Sequence, residues 1–223
     1  MRIFILLPLL IFFVLVEGNA QKAQIDQLML EGNQAFQQAD FQTAKSKFKA
    51  IVEKEPLNKT ALFNLGALEL NLGNQNGGCT WLQKAYSAGD SGSFELIKTY
   101  CNGVIESEAM FSTDVDEMPK FKYKGQWEEF RIGNKINPKY TKLFQYAFRS
   151  YDELKPVRGV IMVFQDVDNS GNIHIQTDDQ QLTLKQIEIL QEIFETTTSY
   201  KPATYKGINR TLKDRGILVP LSF

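Results

Sequence analysis

Few side chains in this sequence are placed to do chemistry. His174 is the single histidine. A zinc centre takes three or four ligands, and no cysteine or carboxylate cluster accompanies His174, so no metal centre is built on it. Asp166-x-Asp168-x-Ser170-Gly171-Asn172 opens like a calcium loop. Such a loop requires a bidentate Glu at its twelfth position, which counting from Asp166 is Thr177. A tight turn accounts for the same residues, because Asn and Gly adopt the φ values that a hairpin demands. Glu128 and Glu129 form a carboxylate pair, for which surface charge is the usual explanation. No Gly-x-Ser-x-Gly elbow, phosphate loop or His-Glu-x-x-His is present. The pattern therefore names no catalytic residue, no metal and no cofactor, and it reads as a non-catalytic binding protein.

Cys79 and Cys101 are the other reactive groups. They lack the Cys-x-x-Cys spacing of thiol redox catalysts. Cys79 falls at the start of one expected helix and Cys101 at the end of the next, so antiparallel helices bring the two ends together. In an exported chain a structural disulfide follows; two buried free thiols are the alternative.

Export is what residues 1–20 indicate. Arg2 supplies a positive charge, Ile3 to Val16 carries no polar residue, and Gly18-Asn19-Ala20 offers small residues ahead of Gln21. That is the pattern of a cleaved secretory leader. A retained anchor is the competing reading, but spanning a bilayer takes about 20 apolar residues; this run is shorter and contains Pro8. The mature protein is expected to be periplasmic or secreted and not membrane-spanning. Its charge is nearly balanced, with 25 basic against 26 acidic side chains. Nucleic-acid binding uses a net basic surface to displace counterions, so that class is disfavoured.

Two kinds of element must position whatever the chain binds. From residue 21 to 102 the apolar period is helical and repeats. A shift of thirty-four residues carries Leu28, Gly32 and Phe48 onto Leu62, Gly66 and Leu82. A Gly at the middle position lets two antiparallel helices approach closely. Ala39-Asp40-Phe41 and Gly73-Asn74 mark the same turn in successive units, and a third helix, Ser93 to Tyr100, closes the array with Ser91 or Ser93 as its cap. These positions resemble the tetratricopeptide repeat. Most aromatic residues of this half are expected in its core. The resemblance implies a concave partner-binding face, with Met29, Asn33, Phe36, Phe63 and Leu70 as its candidates.

Residues 103–117 are rich in Asp and Glu and read as a solvated linker. Residues 118–223 have strand and helix signals in alternation. Gly159 to Val167 is an apolar, β-branched strand, Asp168 to Asn172 a turn, and Ile173 to Gln176 a second strand. Thr183 with Gln186 forms a capping box ahead of a helix whose apolar face is Leu184, Ile187, Leu190, Ile193 and Phe194. Lys201-Pro202 ends that helix segment, and Ile217, Val219, Leu221 and Phe223 share one face of a last strand. The expected fold class is thus α plus α/β: an antiparallel helix-pair array, then a small sheet of β-β-α-β order.

That order, with Gly159-Val160, Gly171-Asn172-Ile173, Tyr200-Lys201-Pro202-Ala203, Gly207 and Val219-Pro220-Leu221-Ser222-Phe223, resembles the TonB C-terminal domain. The segment 139–156 is an insert without a counterpart in it. The resemblance implies a last strand that receives a peptide by β-augmentation. Pro220 independently points to an edge, where no neighbour needs its missing N–H. The partner-binding residues expected there are Ile217, Leu218, Val219 and Pro220, continuing through Leu221, Ser222 and Phe223. The combined expectation is an envelope adaptor holding proteins or peptides. TonB-like energy transduction to outer-membrane receptors is the alternative; it needs a retained anchor and an extended spacer at about 3.1 Å per residue.

Overall fold

The computed structural model describes residues 6–214 and 216–222, with side chains from Ala20 onward. Arg2 and Ile3 of the leader and the terminal Phe223 lie outside the described residues. The fold is mixed helix and sheet, divided into two compact units, Met1–Glu106 and Ser107–Phe223. Among the described residues no helix is long and apolar enough to cross a membrane.

The first unit contains five helices: α1 (Leu6–Gln37), α2 (Phe41–Lys54), α3 (Lys59–Asn71), α4 (Gln75–Ser87) and α5 (Ser93–Tyr100). α1 runs unbroken through Gly18-Asn19-Ala20. α1 packs on α2 and α3 on α4, and a glycine sits at each contact. A Cβ on Gly32 would stand 2.6 Å from the Phe48 ring, and one on Gly66 would stand 2.7 Å from Leu82 Cγ. Phe48 and Leu82 are fully buried, so the two glycines hold equivalent places thirty-four residues apart.

The turns recur as well. Asp40 N–H donates to Ala35 O and Ala39 N–H to Phe36 O; Asn74 and Gly73 repeat these bonds to Glu69 and Leu70, and Asp90 and Gly89 to Ala85 and Tyr86. Each is a Schellman ending with a left-handed residue, at Ala39, Gly73 or Gly89. The next residue then caps the following helix: Asp40 accepts from Thr43 N, Asn74 from Gly77 N. α5 has Gly92 at its N-cap position and no side-chain cap bond. Neither expected serine caps it; Ser93 N–H (2.8 Å) and Oγ (3.1 Å) instead donate to Asp90 Oδ1.

Cys79 and Cys101 are joined in a disulfide, Cα to Cα 5.7 Å, tying α4 to the end of α5. One turn on from Cys79, Gln83 donates to Val104 O (2.6 Å) and accepts from Glu106 N (3.2 Å). Cystine persists in oxidising surroundings, so the bridge fits an extracytoplasmic protein.

The acidic stretch 103–117 is not a solvated linker. Gly103 and Ile105 are buried in the first unit. Met110, fully buried, belongs to β1 (Ala109–Met110) of the second unit. Asp116 and Glu117 bond through their backbone to Thr204. Acidic residues alternate here with apolar ones, and the apolar ones decide the placement.

The second unit continues with the hairpin β2 (Lys120–Tyr123) and β3 (Gln126–Glu129), then the short pair β4 (Arg131–Ile132) and β5 (Lys135–Ile136). The insert 139–156 is largely helix α6 (Pro138–Ser150). Asn137 caps it by accepting from Lys139 N, and Pro138 stands at its first position. Tyr140, Phe144 and Phe148 form its buried face and pack around Phe194 in the second core, Tyr140 stacked on its ring and Phe148 edge-on to it. β6 (Val160–Val167) and β7 (Ile173–Gln176) follow, then α7 (Leu184–Thr197) with its capping box in place. Ile189, Leu190, Ile193 and Phe194 of α7 are buried; Leu184 is exposed, since it starts the first turn. β8 (Tyr200–Lys201), β9 (Ala203–Tyr205) and β10 (Ile208–Leu212) intervene before β11 (Ile217–Ser222). β8 extends the β2–β3 hairpin, β9 and β10 pair with each other, and β1 joins β10 in parallel. The main sheet has the order β11-β6-β7, antiparallel throughout.

Candidate functional site

The two edges of the main sheet differ, and backbone alternation shows how. In an antiparallel ladder successive residues aim N–H and C=O to opposite sides. Ile175 pairs with Gln165, yet its N–H donates to Gln191 Oε1 of α7 (2.9 Å), and Gln191 Nε2 donates to Ile173 O (2.6 Å). Ile173 and Ile175 therefore face away from β6, and one glutamine amide closes that edge as a strand would.

It follows that Phe164 and Asp166 bond to β7. Met162 has the same orientation, since its carbonyl accepts from Thr177 Oγ1 just beyond β7 (2.9 Å). The intervening residues, Ile161, Val163 and Gln165, must then serve β11 through Leu221, Val219 and Ile217. Leu218, Pro220 and Ser222 aim their backbone outward. Pro220 lies opposite Met162, where β6 has no use for its missing N–H. β11 pairs with β6 alone among the described strands, so its outer edge offers the Leu218 and Ser222 N–H groups and three carbonyls.

Side-chain burial sorts the residues expected to bind. Ile217, Val219 and Leu221 are buried in the core and can contact a partner through backbone neighbours only. Pro220 and Ser222 are exposed and Leu218 half-buried, next to exposed Val160 and Met162 on β6. Phe223 lies outside the described residues. On the helical unit, Asn64 Nδ2 bridges Asn33 Oδ1 (3.3 Å) and Met29 Sδ (3.6 Å), which brings those two together. Phe36 stands edge-on to Phe41, 5.6 Å between centroids, and Phe63 is half-buried. Leu70 lies against the Cα of Gly78, inside the α3–α4 contact rather than on an open face.

Several titratable groups of this unit are shifted by their surroundings. Asp168 is the hub of the β6–β7 turn. Burial pushes its pKa up, but bonds from Asn172, His174 and Ser170 outweigh that and hold it at about 2. Burial and the nearby Asp214 raise the Asp166 carboxyl. Burial also keeps Tyr140 and Tyr200 protonated; Tyr140 donates to Gln165 Oε1 (2.5 Å) and Tyr200 to Phe194 O (2.9 Å). Among the described residues no group of three or more His, Cys, Asp or Glu side chains is gathered for a metal. Gln191, which closes the β7 edge, was not singled out by sequence, because only tertiary placement distinguishes it from any polar helix residue.

Compared with models of known protein families and with curated proteins, the chain matches none.

Proposed function

We propose that this chain is an exported, non-catalytic adaptor that accepts an extended peptide as an added strand beside β11. The carrying observation is the asymmetry of the sheet: one edge closed by Gln191, the other left with outward backbone groups. β-Augmentation uses such an edge, with main-chain bonds for affinity and alternate side chains for selectivity. The resemblance of residues 118–223 to the TonB C-terminal domain supports the same use. The resemblance of residues 21–102 to tetratricopeptide repeats supports a second protein contact near Met29, Asn33 and Phe36. The disulfide fits a periplasmic location.

The test is peptide-library selection on the intact chain and on Leu218→Pro. Leu218 N–H faces outward, so the substitution removes a donor from the open edge and leaves the ladder to β6 unbroken. Selected peptides should lose at least tenfold in affinity for a variant whose melting curve is unchanged. Equal affinity would exclude β11 as the binding edge.

A further inference from the structure

We infer that the peptide accepted at β11 carries an acidic residue, recognised by a basic cleft at the Ser222 end of that strand. The inference rests on the binding reading above and supplies the chemistry of the partner. The cleft encloses about 540 Å³ between the last turn of α6, the loop leading to β6, and Ser222. Its floor is Phe148, Leu154 and Val157, all buried in the core. Arg149, Lys155 and Arg158 line it, and no acidic side chain does.

The three cations are not equivalent. Lys155 is paired with Asp152. Arg158 uses Nη1 to donate to the carbonyls of Lys155 and Val157, which anchors the side chain while the guanidinium has further N–H donors. Arg149, exposed on the last turn of α6, has no ion-pair partner among the described residues. Two guanidinium groups beside an apolar floor suit a carboxylate, which an arginine binds through two parallel hydrogen bonds.

Position connects this cleft to the open edge. β11 runs toward it, and Ser222 belongs to both. A strand rises about 3.3 Å per residue. A partner residue beside Ser222 is thus at the cleft mouth, while the one beside Leu218 lies about 13 Å away. Exposed Val160 and Met162 flank the stretch between. The fitting occupant is an extended peptide, apolar in its middle and acidic at the end beside Ser222.

A library of random ten-residue peptides panned on the intact chain tests this. The enriched pool should carry Asp or Glu at one end of an apolar stretch. The best binder should lose at least tenfold when that acid becomes Lys, and equally against Arg149→Glu; Lys peptide and Arg149→Glu together should recover most of the loss. Arg149→Gln, which removes the positive charge without adding a negative one, should fall between. A pool without acidic bias, or a charge swap without recovery, overturns the inference. The edge reading then still stands if Leu218→Pro abolishes binding. No enrichment at all, or binding indifferent to Leu218→Pro, overturns both.

Discussion

Gly66→Ala sets two effects of opposite sign against each other. Helix propensity alone favours Ala in the middle of α3 by about 1 kcal/mol. The contact with α4 opposes it. The new Cβ would stand 2.7 Å from Leu82 Cγ, 2.8 Å from Cδ2 and 3.1 Å from the Leu82 backbone nitrogen. Comfortable carbon contacts lie at about 3.5–4.0 Å. Leu82 is fully buried and cannot swing aside, and the backbone nitrogen yields only if the helices separate. Overpacking of this kind costs about 1–3 kcal/mol, so the net expectation is a loss of about 1 kcal/mol. The sign should reverse in a Leu82→Ala background, where the cavity accepts the methyl group and propensity dominates. The assay is urea unfolding followed by Trp81 fluorescence, with Trp127→Phe to silence the other tryptophan. If Gly66→Ala raises stability in the otherwise unaltered chain, the close approach of α3 and α4 is wrong.

Reduction of Cys79–Cys101 frees a loop of sequence separation 22, for which the chain-entropy relation gives about 3 kcal/mol; thermal melts with and without reductant should differ accordingly, and coincident curves would refute the bridge. Asp168 is held at about 2, below its ordinary 3.8. A carboxyl depressed on folding contributes above its unfolded pKa and loses that contribution as pH falls through the folded value. Asp168 should therefore supply up to about 2 kcal/mol at neutral pH, lost between about pH 4 and pH 2. The stability difference between the natural chain and Asp168→Asn should shrink across that window, and a constant difference would refute the assignment.

What sequence reveals here depends on how local the cause is. Gly32 and Gly66 stand out because a thirty-four-residue shift superposes them together with Phe48 and Leu82. The Thr183–Gln186 box and the Asp168 turn are legible because each is completed within a few residues. β1 is two residues long, too short for a period, and its stability comes from β10, about one hundred residues later. Its acidic surroundings suggest solvent, but Met110 is what the fold uses. α6 has a local signal too, a cap at Asn137-Pro138 followed by Tyr140, Phe144 and Phe148 at helical spacing. The open edge was legible through Pro220. The closure of the opposite edge by Gln191 and the cleft at Arg149 were not, because both arise from elements that meet only after folding.

Pro220 has a consequence for solubility. A bare edge is a template on which a second copy of the chain can pair. β11 has one free edge, since β6 holds the other, so pairing of β11 on β11 ends at two copies. In such a pair each Pro220 leaves an opposing carbonyl with no donor, and two copies bring two such gaps. A guest strand without proline meets one gap, at a rim where water can fill it. Pro220 thus weights the edge against pairing with its own kind.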